Sequence, residues 1–260
     1  DKSEHERFQR WYHSIMAFLS NLTGDEDIAA DGLRTKEELQ EYMLPIIGER
    51  RANPGDDLLS TLCTAVIDGE QMTDLEIKAF VSLLLVAGGE TTDKALANMF
   101  MNLIANPDQL QAVRDDRSLI DSAFAEALRH SPPVQMIMRQ PAEDVELHGV
   151  TIPADATVTC LIAGANRDPR HYTDPDRFDI FRTDLDVSKA FTGAANHTAF
   201  CLGRHFCIGA MLAKTEVDIA TNQLLDAMDD IAFDGDPPVP EGVFTRAPKR
   251  MALTFTPTGA

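Results

Sequence analysis

The chain has 260 residues, 44% of them hydrophobic, which is the make-up of an ordinary globular protein with a core to fill. Its net charge of −19 argues against nucleic acid or an anionic membrane as a bulk partner, because both repel a polyanion, although solubility alone would explain such a charge. Cysteines at 63, 160, 201 and 207 form no CxxC pair and no regular framework, so a reducing, cytoplasmic setting is expected rather than a disulfide-stapled secreted domain.

The opening DKSEHERFQRWYH is charged and lacks the apolar run of a signal peptide, and residue 1 does not look like a natural start. Apolar residues at helical spacing predict a helix over Glu4–Leu22, stopped by Thr23-Gly24. Further helices are expected over Thr35–Arg50 and Asp57–Ile67. Thr73 and Glu76 form a capping box that opens the longest helical pattern, which runs to Asn106 and stops at Pro107. Within it, Ala79–Gly89 (AFVSLLLVAGG) is the most apolar stretch, too short to span a bilayer and read as a buried helix. Ser118 and Asp121 suggest a weaker cap for a helix reaching His130, closed by Pro132-Pro133.

Beyond the prolines the pattern changes to short β-type runs, VQMIM, VELHGVTI and TVTC, broken by Pro141, Gly149 and Pro153. Residues 166–199 are rich in Asp, Pro, Arg and Asn and lack periodicity, so they read as a long irregular connector of the kind that usually serves function. A helix is expected from about Cys207 to Met228, with short strands near Ile231 and over Met251–Thr256. With no internal repeat or clear linker, one domain is expected over 1–260. Its parts are a helix-rich region (1–132), a small β region (133–160), the connector (161–199), a cysteine loop with its helix (200–228) and a terminal β hairpin (229–260).

Four local patterns carry chemistry. FCLGRHFCIG, Phe200 to Gly209, sets Cys207 at the mouth of a helix, where a thiolate is stabilised by free N–H groups and the helix dipole. Gly203 permits a tight turn, Gly209 leaves room for a flat ligand, and Arg204 and His205 add donors. A cysteine in such a place is commonly just a small buried hydrophobe, yet this segment suits a sulfur anion facing something planar and electrophilic. AGGETT, Ala87 to Thr92, places two glycines inside a helix at a cost of about 1 kcal/mol each relative to alanine. Either another helix packs closely against Gly88 and Gly89, or the helix distorts or admits a ligand there. EALR, Glu126 to Arg129, puts opposite charges on one helix face, which taken alone is a routine surface pair. Arg139 follows the prolines by a short strand and could be an exposed strand residue or a carboxylate donor.

Together, and in this order, these patterns resemble the cytochrome P450 family. Phe200, Gly203, His205, Cys207 and Gly209 match its haem-binding loop, F-x-x-G-x-[RH]-x-C-x-G, with the departure that Cys201 follows the phenylalanine where Gly or another small polar residue is usual. AGGETT is similar to its oxygen-binding groove, [AG]-G-x-[DE]-T, and EALR to its ExxR. The resemblance implies a mainly α fold with small β-sheets, of which this chain covers the carboxyl-terminal part, the amino-terminal part being missing. It implies haem b with Cys207 as the iron ligand. Ala87, Gly88, Phe200, Gly203 and Gly209 would lie against the haem, Arg139 and His205 on its propionates, and Glu90 and Thr91 would act as the acid and alcohol of proton delivery. Glu126, Arg129 and Arg177, from DPDRF, would form a buried structural charge network, with NRDP (Asn166 to Pro169) nearby. Leu83, Val86, Gln135, Met136, Val243 and Phe244 would wall the substrate pocket. The activity implied is insertion of one oxygen atom from dioxygen into a small apolar organic substrate, with electrons from a ferredoxin-type donor docking near Arg204. A peroxide-driven enzyme and a haem-free, inactive fragment are the two rival readings.

Overall fold

A computed structural model describes residues 2–258, and these fall into two compact units, one ending at Glu90 and one starting at Thr91. In the first unit, α1 (Lys2–Leu19) and α2 (Glu26–Ala52) pack on each other, followed by α3 (Leu58–Thr64), a hairpin of β1 (Val66–Ile67) and β2 (Glu70–Gln71), and α4 (Asp74–Gly88). Helix α2 begins nine residues earlier than the sequence pattern suggests, because the Asp25 carboxylate accepts from the N–H groups of Asp27 and Ile28 and caps it there. Helix α3 ends before Val66, since Asp68 and Gly69 both take left-handed φ (52° and 87°) and fold the chain into a hairpin.

The Thr73–Glu76 capping box is present, but the long helix it opens is broken. Helix α4 ends at Gly88, and α5 (Thr91–Ala105) starts two residues after Gly89. Two residues without a side chain to support the turn are the local cause. Helix α4 is also less buried than its composition suggests. Ile77, Val81 and Leu85 pack into a core with Trp11, Leu39, Met43 and Ile47, whereas Leu83 is 61% exposed and Ala87 and Gly88 are exposed with it.

In the second unit Pro107 does not merely stop a helix. It starts α6 (Pro107–Asp115) from the first-turn position, where its missing N–H is not needed. A 3-10 turn at Arg117–Leu119, capped by Asp116 rather than Ser118, leads into α7 (Ile120–His130). Four strands follow: β3 (Met136–Arg139), β4 (Val145–Leu147), β5 (Val150–Ile152) and β6 (Val158–Leu161). β3 pairs antiparallel with β6, Ile137 opposite Cys160, and β4 pairs with β5. The four-residue α8 (Ile162–Ala165) enters the connector, which is irregular as expected, and α9 (Ala210–Ala227), β7 (Met228–Phe233) and β8 (Leu253–Pro257) close the chain. Helices α5, α7 and α9 share one apolar core with Phe178, Ile180, Phe191 and Phe200 of the connector and loop. Among the described residues, no helix is long and apolar enough to cross a membrane.

Candidate functional site

The cysteine loop is built on that core. Phe200 is buried against Phe191 (ring centroids 6.5 Å apart) and Phe206 (6.2 Å), and Phe191 stacks on Phe124 of α7 at 5.4 Å. The Cys207 N–H donates to the Phe200 carbonyl at 2.8 Å, closing the loop, and the Phe206 N–H donates to the Gly203 carbonyl at 3.0 Å. The turn between them runs through left-handed backbone at Gly203 (φ 67°), as the glycine there suggests, and also at Cys201 (φ 61°). A non-glycine residue in that region costs about 1–2 kcal/mol, so the side chain that departs from the family pattern sits in strained backbone.

Helix α9 starts three residues beyond Cys207, with Gly209 as its N-cap, and the Cys207 carbonyl accepts from the Ala210 N–H at 3.3 Å. The Cys207 side chain is half-buried, and a Cβ added at Gly209 would reach its sulfur at 3.8 Å. Around it the loop shows apolar side chains to solvent, Leu202 at 51% and Ile208 at 83% exposure, with Leu161 of β6 also exposed.

Arg139 comes to this loop through the β3–β6 pair. Its guanidinium donates to the Met138 carbonyl at 2.8 Å, and its charge acts on the Cys201 thiol. Burial pushes the Cys201 thiol up, and the neighbouring Cys207 and Cys160 add to that, while Arg139 opposes it. His205 is exposed in the 3-10 turn Gly203–His205. One thiol, an arginine and a histidine that can serve as donors to carboxylates, and an open apolar surface form a donor set that fits haem, a flat apolar group with two carboxylates and one iron to ligate. Among the described residues, no group of three or more His, Cys, Asp or Glu is placed to hold a metal ion.

Behind the loop lies a finished charge network. Glu126 and Arg129 on α7 are fully buried and joined by two bonds, 2.7 Å from Nε and 2.8 Å from a terminal nitrogen. The Arg129 guanidinium also donates to the carbonyls of Asn166, Pro175 and Arg177. The third charged member is not Arg177. That side chain is 68% exposed and lies 3.8 Å from Asp179, while the inward positions that follow it belong to Phe178 and Ile180. Arg182 takes the place instead, its Nε 2.9 Å from the Glu126 carboxylate in an ion pair and its terminal nitrogen 2.6 Å from Asp184. Tyr172 lies against both guanidinium groups, 5.2 Å from Arg129 and 5.9 Å from Arg182. Asn166 ties the network to the cysteine loop: its side-chain oxygen accepts from the Thr198 N–H (2.7 Å) and hydroxyl (2.8 Å). Arg182 and Tyr172 escaped the sequence reading, since nothing in an aperiodic connector marks which way a side chain turns. Asn166 was visible in the NRDP run.

Of the expected pocket residues, Gln135, Met136 and Val243 line one cavity of about 300 Å³ with Leu161 and Gly242, and the Phe244 carbonyl accepts from the Gln135 N–H at 2.9 Å. Leu83 and half-buried Val86 belong to the first unit, as do Ala87, Gly88 and Glu90. The two glycines there differ. A Cβ at Gly88 would meet nothing within 4 Å, whereas one at Gly89 would fall 2.5 Å from the Tyr12 ring. Close helix packing therefore explains Gly89, and open space lies beside Gly88. Thr91, the first residue of α5, is half-buried.

Fold and loop thus define a haem-thiolate protein. The Cytochrome P450 family model matches residues 10–255, and the chain belongs to that family. It is 41% identical over 256 residues to the pulcherriminic acid synthase of Bacillus subtilis, covering 98% of this chain and 63% of that protein. It is also 41% identical over 213 residues to the cytochrome P450 monooxygenase PikC of Streptomyces venezuelae, covering 81% and 49% respectively. The structure of cytochrome P450 CYP109Q5 from Chondromyces apiculatus superposes with a TM-score of 0.84 at 35% identity, over 100% of this chain and 62% of that one. The chain spans less than two thirds of the length of each of these relatives.

Proposed function

We propose that this chain is the haem-binding portion of a monooxygenase that inserts one oxygen atom from dioxygen into a small apolar organic substrate. The half-buried Cys207, in a closed loop whose neighbours Leu202 and Ile208 are exposed, is the observation that carries this reading. Haem b, when bound, supplies the reductive activation of dioxygen, with a thiolate ligand pushing electron density onto iron. The protein's own residues then set access, orientation and protonation. Cys207 supplies the thiolate, Arg139 and His205 pair with the two carboxylates, and Ala87, Gly88, Phe200, Gly203 and Gly209 leave room for a flat group. Thr91 holds a water through its hydroxyl, and the Glu90 carboxyl passes protons to it from solvent. Leu83, Val86, Gln135, Met136, Val243 and Phe244 give the substrate an apolar wall.

Electrons come from a ferredoxin-type donor, for which the exposed Arg204 beside the cysteine loop is the docking point. The setting is cytoplasmic. A peroxide-driven enzyme is the alternative, and the Glu90–Thr91 pair favours dioxygen, since a proton path is what reductive activation requires. Turnover under labelled dioxygen, with a reductase and ferredoxin supplied, tests the choice. One labelled oxygen atom in the product is expected; unlabelled product formed equally well from added peroxide without reductant would overturn it.

A further inference from the structure

The break at Gly89–Glu90 is held from outside its own helix. Helix α1 is pinned to α2 by Trp11, whose indole donates to Glu38 at 3.0 Å, by Arg10 on the same carboxylate at 2.6 Å, and by Ser14, which donates to Asp31 and accepts from Thr35 at 3.0 Å. The two residues between these pins touch the break. Tyr12 is buried, and its ring occupies the space a side chain at Gly89 would need. His13 lies edge-on to that ring, centroids 5.3 Å apart, and its Nδ1 is 3.6 Å from the Glu90 carboxylate. At that separation the contact is an ion pair or one bridged by water rather than a direct hydrogen bond. The His13 side chain is 65% exposed and that of Glu90 only 23%, so the imidazole is the more solvent-exposed partner of the pair.

We infer that His13 is a positioning residue for Glu90: held by α1, it fixes the carboxyl at the helix break and links it to solvent. The inference rests on the proposed role of Glu90 in proton delivery, although the contact itself does not. Ion pairs this exposed contribute little to stability, so the pair is read as a device for orientation.

Two measurements on the full chain test it. The first needs no haem: the ring resonances of His13, assigned by their loss in His13→Gln, are followed by NMR in Glu90→Gln and in Glu76→Gln. They should move in the first variant and stay in the second; no movement in Glu90→Gln overturns the proposal. The second is the steady-state rate of product formation by the haem-loaded protein. His13→Ala should lower it by about three- to tenfold through kcat with little change in KM, and His13→Gln, which can still donate to a carboxylate, should recover most of it. The double variant His13→Ala with Glu90→Gln should be no worse than Glu90→Gln alone. Effects that multiply would place His13 on another path and overturn the proposal. A wild-type chain that binds haem without thiolate ligation defeats the functional reading, while the NMR result still decides whether His13 holds Glu90.

Discussion

Two regions of the second unit, joined by Asn166, were built to opposite ends. Around Glu126, every charge is answered from within the chain: two arginines and the Asp179 N–H meet its fully buried carboxylate, and three carbonyls and the Tyr172 ring meet Arg129. Around Cys207 the opposite holds. The backbone is closed and even strained, yet Leu202 and Ile208 face solvent and the sulfur is half-buried. Buried charge tolerates no missing partner, so the network completes itself and makes a rigid floor. A ligand site must leave its last contacts to the ligand. The contrast separates residues that hold the connector in place from those proposed to meet the cofactor.

The contrast can be broken most sharply at the network. Glu126→Ala leaves buried Arg129 without its carboxylate and Arg182 with Asp184 alone, and should cost about 3–5 kcal/mol in urea denaturation, with Arg129→Ala comparable. Arg182→Ala should be clearly destabilising, while Arg177→Ala should stay within about 0.5 kcal/mol. Equal losses at 177 and 182 would undo the assignment.

Acid should weaken both regions. Burial lowers His130, beside Arg167 at the end of α7, to about 4, and lowers His197, just before Phe200, to about 4. Each is neutral in the fold, whereas the unfolded chain takes up the proton near pH 6.5. Their contribution is therefore complete above about pH 6.5 and is lost as pH falls toward 4, on the order of a few kcal/mol for the two together. Urea midpoints measured across that range should decline in the wild type and flatten in His197→Gln with His130→Gln. The smallest effect is expected at Cys201. Replacing it with glycine removes left-handed strain and should raise stability by up to about 1 kcal/mol, read as a higher urea midpoint at unchanged slope.

The cysteine loop was legible in the sequence because its chemistry is written in consecutive residues at fixed spacing. So were the Thr73–Glu76 cap and the short strands on either side of Gly149. Pro107 misled because a proline that ends one helix can begin the next, and the start of α2 was missed because Asp25 caps it ten residues before Thr35. The Arg177–Arg182 exchange could not be read at all: two arginines lie close together in an aperiodic segment, and only the packing of Phe178 and Ile180 decides which one turns inward. The approach of Arg139 to Cys201, and of His13 to Glu90, joins residues far apart in the chain, where local pattern carries no signal.

The central claim is a bond between the Cys207 sulfur and haem iron. The direct test is the Soret band of the haem-loaded protein after reduction and addition of carbon monoxide. A strongly red-shifted band is expected in the wild type and in Cys201→Gly, and its loss in Cys207→Ala. An unshifted band in the wild type, or a shifted band that survives in Cys207→Ala, would contradict the account.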